Sequence, residues 1–116
     1  MVKPRSKKTQ RRVQKNFYAD VKTAKALEDV PSNPGRTIYI VKRGGKARWV
    51  VLACPCGCGS RIEANLMRSH WPSWRLRTHR NGTVSLFPSL WVSADRCGSH
   101  FWTLKNNVRW AESFWM

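Results

Sequence analysis

The spacing of apolar residues changes part-way along this chain. From Thr9 to Asp29, Val13, Phe17, Val21, Ala24 and Leu27 recur at steps of three and four, the spacing of one helical face, and predict an amphipathic helix. Pro31-Ser32-Asn33-Pro34-Gly35 would end it, because proline lacks the amide a helix needs and biases the residue before it away from helix. Beyond Gly35 the pattern becomes short runs of β-branched and aromatic residues between turn signals, as in an antiparallel β domain. Thr37 to Lys42 and Lys46 to Ala53 flank Gly44-Gly45, a pair that takes the positive φ of a tight hairpin turn. Trp74 to His79 and Thr83 to Phe87 flank Arg80-Asn81-Gly82, and Phe101 to Lys105 and Val108 to Trp110 flank Asn106-Asn107. Arg61 to Leu66 is a further candidate strand. The expected fold is mainly β: a small antiparallel domain of three hairpins over residues 36–116, joined by a Pro/Gly linker at 31–35 to a basic tail and helix at 1–30.

Charge adds a partner to this picture. The 116 residues hold 22 Lys plus Arg against 6 Asp plus Glu, a net charge of +16 that solubility does not require. Part of the excess is concentrated at Lys3, Arg5, Lys7, Lys8, Arg11, Arg12 and Lys15, with no acid among them. A polyanion such as DNA or RNA is the partner this implies. In Trp74-Arg75-Leu76-Arg77, strand alternation puts Arg75 and Arg77 on one face, opposite Trp74 and Leu76, so both arginines are expected in solvent. The N-terminus has no apolar run of signal-peptide length and no stretch reaches a membrane span, which favours the cytoplasm.

The cysteines carry the most specific chemistry. Cys54, Cys56 and Cys58 stand too close together for easy disulfide pairing, while Pro55, Gly57 and Gly59 allow the segment to curl around an ion. Zinc takes four sulfur or nitrogen ligands in a tetrahedron, and Cys97-Gly98-Ser99-His100 offers the distant half of such a site. That makes five candidates for four places. Either all four cysteines bind and His100 stands outside, or one of the first three stays out and His100 completes a Cys3His set, the slightly favoured arrangement. The metal would staple the first hairpin to the third.

Catalysis finds less support in the residues. No histidine precedes a glutamate in the zinc-deaminase spacing, since Pro72, Asn81 and Trp102 follow two residues after His70, His79 and His100. Glu63, Asp95 and Glu112 are the acids of the expected β domain, which leaves paired-carboxylate chemistry few members. A zinc hydrolase, or a Cys/His nucleophile with His70 or His79 as base, is the minor alternative to a protein that is not an enzyme.

Leu52-Ala53-Cys54-Pro55-Cys56-Gly57-Cys58-Gly59, Trp74-Arg75-Leu76, Asn81-Gly82-Thr83-Val84-Ser85-Leu86, Pro88-Ser89-Leu90-Trp91 and Cys97-Gly98-Ser99-His100-Phe101 resemble, in order and spacing, a bacterial and phage family of unknown function. The resemblance runs from about Gly35 to Trp110. It implies a small zinc-binding β domain found in mobile elements and in gene clusters with ubiquitin-like conjugation machinery. It also puts the cysteines and His100 on the family's cysteine and histidine positions. The basic segment before Pro31 lies outside the shared pattern.

Two functions follow as expectations. The first is a non-enzymatic structural-zinc protein that binds nucleic acid through its basic N-terminal segment and the arginines of the sheet. The second is a protein-interaction module, either an adaptor to a bacterial ubiquitin-like conjugation system or a phage protein that binds a host factor. Of the seven tryptophans, Trp71, Trp74, Trp91, Trp102 and Trp110 fall in or beside expected strands and are read mainly as core.

Overall fold

Glycine and asparagine close each of the three expected hairpins in the computed structural model, which describes residues 13–111. Gly44 and Gly45 take φ of 60° and 81° between β3 (Thr37–Arg43) and β4 (Lys46–Ala53). Asn81 accepts from the Thr83 amide at 3.1 Å within the turn from β6 (Arg75–Thr78) into β7 (Val84–Trp91), where Gly82 takes a φ of 89°. Lys105 and Asn106, at φ of 50° and 65°, join β8 (His100–Leu104) to β9 (Asn107–Trp110). This last turn sits one residue earlier than expected, since Asn107 already pairs with Leu104. The Arg61 run forms β5 (Arg61–Asn65) on the outer side of β4.

The helix expected between Thr9 and Asp29 is not found among the described residues. β1 (Val13–Gln14) pairs antiparallel with β9, and β2 (Asp20–Ala24) pairs parallel with β3. A single 3₁₀ turn, Leu27–Asp29, follows. The three-and-four spacing was not one face: Phe17 and Val21 pack on one apolar cluster, Ala24 and Leu27 on another, and Val13 is half exposed. Extended chain reaches both clusters, which one helical stripe would not. The segment before Pro31 thus adds a strand to each sheet.

The result is a mainly β fold of two sheets, ordered β2-β3-β4-β5 and β1-β9-β8-β7-β6. Ile38, Ile40, Val50 and Leu52 of the first face Val84, Leu86, Leu90 and Phe101 of the second across the main core. The alternate residues Tyr39, Val41, Trp49 and Val51 bury the other face of the first sheet under Val30 and Leu27. Burial on both faces explains why β3 and β4 read as nearly unbroken apolar runs. The crossover is tied down by Arg61, whose guanidinium donates to the carbonyls of Leu27, Val30 and Pro31 at 3.0–3.1 Å and pairs with Glu63 at 2.9 Å.

Of the tryptophans read as core, Trp110 is buried and Trp74 and Trp102 are half-buried, but Trp71 and Trp91 stand 92% and 71% exposed. Among the described residues no helix is long and apolar enough to cross a membrane.

Candidate active site and metal centre

Backbone bonds curl the segment after β4 into a chelating turn. The Cys54 amide donates to the Ser60 carbonyl at 2.9 Å and the Gly57 amide to the Cys54 carbonyl at 3.3 Å, with Gly57 and Gly59 at φ near 90°. The loop between β7 and β8 brings Cys97 to this turn. The four sulfurs of Cys54, Cys56, Cys58 and Cys97 all lie within 4.8 Å of one another, and Cys54 is 3.5 Å from Cys56 and 3.7 Å from Cys97. Sulfurs around a tetrahedral ion with bonds near 2.3 Å sit about 3.8 Å apart, so this group is of a size to hold a metal ion. Burial pushes the Cys54 thiol well up, whereas hydrogen bonds from Ser60 bring that of exposed Cys58 down to about 6. A bound cation would hold all four as thiolates.

His100, the fifth candidate, is engaged elsewhere. Its Nε2 lies 2.7 Å from the hydroxyl of Ser89, across the β7–β8 ladder. A bulge makes the contact: Leu86 pairs with Thr103 and Leu90 with Phe101, so three residues of β7 stand opposite one of β8. Ser89 falls in that excess, which turns its side chain toward the imidazole. Trp91, the register partner of His100, packs against the ring at 5.5 Å between centroids. The Trp74 indole donates to the Ser89 carbonyl at 3.1 Å and holds the Ser89 backbone from the other side. Both members of the pair are half-buried.

Two other serine and histidine pairs differ in kind. Ser85 is 2% exposed, and its hydroxyl meets His79 Nε2 at 2.8 Å while accepting the Lys105 amide at 2.8 Å, a structural tie inside a hairpin. Ser69 contacts Nδ1 of its chain neighbour His70 at 3.0 Å on the exposed surface. Ser89 was not singled out from the sequence. Its pairing with His100 depends on the bulge, although Pro88-Ser89-Leu90-Trp91 stood among the motifs that carry the resemblance.

Of the residues expected to bind nucleic acid, Lys3, Arg5, Lys7, Lys8, Arg11 and Arg12 lie outside the described residues. Lys15 is exposed near β1, and Arg75 and Arg77 are exposed on β6, as alternation required.

Comparison with known proteins gives one match. The family model described as bacterial ubiquitination-like system serine protease (BubE) covers residues 23–111. No curated protein and no solved structure matches the chain. The family description names an enzyme and overturns the expectation of a non-enzymatic protein. That expectation weighed carboxylates, zinc and cysteine as sources of reactivity and passed over serine, whose activation depends on a neighbour that only the fold supplies. With about three quarters of its length matched, the chain belongs to the bacterial ubiquitination-like system serine protease family, BubE.

Proposed function

We propose that this chain hydrolyses a peptide-type acyl bond, with Ser89 as nucleophile and His100 as general base. The observation that carries the reading is the 2.7 Å contact between the Ser89 hydroxyl and His100 Nε2. Neutral imidazole takes the hydroxyl proton as Oγ bonds to the substrate carbonyl carbon, and the carbonyl electron pair moves to oxygen. When that pair returns, the carbon–nitrogen bond breaks and the leaving amine takes the proton from Nε2. Water, deprotonated by the same nitrogen, then attacks the acyl-serine; the bond from the carbonyl carbon to Ser89 Oγ breaks, Nε2 returns the proton to Oγ, and the acid is released. A substrate within a ubiquitin-like conjugation system accords with the family's description.

The four cysteines are the proposed zinc ligands. Four sulfurs complete a tetrahedron and leave no open position, which is the character of a structural site, and His100 is then free for Ser89. Zinc, when bound there, supplies a cross-link between the turn after β4 and the loop before β8. Cys97 precedes His100 by three residues, so the cross-link fixes the start of the strand that carries the base.

A fluorophosphonate probe tests the nucleophile. It should label the wild-type protein at Ser89, as read by peptide mass, and label neither Ser89→Ala nor His100→Ala. Labelling elsewhere, or equal labelling of Ser89→Ala, would remove the proposal. Elemental analysis should give about one zinc per chain, lost in Cys97→Ser.

A further inference from the structure

We infer that the cleft beside the serine and histidine pair is a substrate subsite for an acidic peptide, with an apolar side chain in the cleft and a neighbouring carboxylate at its rim. The inference rests on the assignment of Ser89 as nucleophile. The cleft has a volume of about 800 Å³, within the range of ligand-binding pockets. Ser89 and His100 do not line it, but its wall includes their neighbours on both strands. Pro88 lines it and directly precedes Ser89, while Trp102 lines it from β8. Burial alternates along β8, so Trp102 shares the outer face of that strand with His100. Trp74, whose indole holds the Ser89 carbonyl, forms another part of the wall.

The lining specifies the ligand's chemistry. Trp74, Phe87 and Trp102, all half-buried, give an apolar surface for one side chain. Arg68 and Arg75 bring two exposed guanidinium groups to the same cleft, and its lining has no carboxylate. Among the described residues the ion pair is that of Arg61 with Glu63, so both guanidiniums are available to a ligand. The pairing of β6 with β7 ends at Arg75 opposite Phe87, and Trp74 beyond it holds the Ser89 carbonyl, so the cleft lies where the ladder stops, two residues from Ser89.

The test uses the full chain carrying Ser89→Ala, so that binding is read without turnover. Two fluorescently labelled, end-blocked tetrapeptides serve as probes, one with leucine followed by glutamate and the other with lysine in place of the glutamate. Anisotropy should show the glutamate peptide binding about tenfold more tightly, since about threefold at each of two exposed cations multiplies to that factor. Adding Arg68→Glu and Arg75→Glu should abolish or reverse the preference, with circular dichroism confirming an intact β fold. No preference, or a preference indifferent to these two substitutions, would overturn the inference. So would displacement of the peptide by a single-stranded oligonucleotide at equal concentration, which would make the cleft a nucleic-acid site. Fluorophosphonate labelling of the wild type separates the two levels. Peptide preference without labelling of Ser89 would sink the nucleophile and leave the cleft, and labelling without preference would do the reverse.

Discussion

Ser89, Ser85 and Ser69 each touch an imidazole nitrogen, yet their surroundings set them apart. A buried hydroxyl already bonded to a backbone amide, as in Ser85, cannot reach a substrate or give up its proton cheaply. His79→Ala should therefore leave hydrolysis near the wild-type rate, while His100→Ala should lower kcat/KM by about 10²–10⁴-fold, the usual worth of a general base. Steady-state rates on one peptide substrate decide between them, and a larger loss from His79→Ala would move the base. The cysteines can be ranked in the same way. Cys58 is exposed and ionises at about 6, so after chelator treatment it is largely thiolate at neutral pH, whereas burial keeps the Cys54 proton on. Brief alkylation of the chelated protein should modify Cys58 first. Below about pH 6 its own rate of modification should fall as the thiolate is protonated, while it stays ahead of the buried Cys54, and mapping of the labelled peptides at pH 5 and pH 7 reads the change.

At the scale of elements, the sequence made the hairpins plain because their signals are local: Gly44-Gly45 and Asn81-Gly82 each sit between the strands they join. The chelating turn was legible for the same reason. β1 and β2 were not, since the spacing of Phe17, Val21, Ala24 and Leu27 fits a helix as well as a chain that crosses between two apolar clusters. Local pattern marked Asn106 as a turn residue but could not show its long-range bonds: its buried side chain accepts from the Val84 amide at 2.8 Å and donates to the Tyr18 carbonyl at 3.0 Å. It joins a turn, the start of β7 and the N-terminal segment while holding a positive φ. Asn106→Ala removes two buried hydrogen bonds and strains the turn, at an expected cost of about 2–4 kcal/mol. Tyr18→Phe loses the 2.7 Å bond to the Ala53 carbonyl, just before the first cysteine, for about 1 kcal/mol. Urea melts of both variants give the comparison, and equal stabilities would mean that Asn106 is no more than a turn residue.

Over the whole molecule, the cysteines and the serine–histidine pair are linked by the short path from Cys97 to His100. If a metal fixes that path, chelation should lower Tm by at least about 10 °C and slow fluorophosphonate labelling of Ser89, and added zinc should restore both. A chelated protein with unchanged Tm would mean that the sulfurs cross-link nothing. The pairing of β1 with β9 has a further consequence, for how the molecule is made. Trp110 donates to Gln14 at 2.8 Å, 96 residues back along the chain. A ribosome adding about 5–20 residues per second separates the emergence of these partners by about 5–20 s. For that interval the second sheet has no β9 to bridge β1 and β8, and the proposed base and nucleophile and the last cysteine all lie C-terminal to β6. The sheet that carries the proposed serine–histidine pair is thus whole only once β9 has been made, so the topology itself delays any cutting until that strand has emerged.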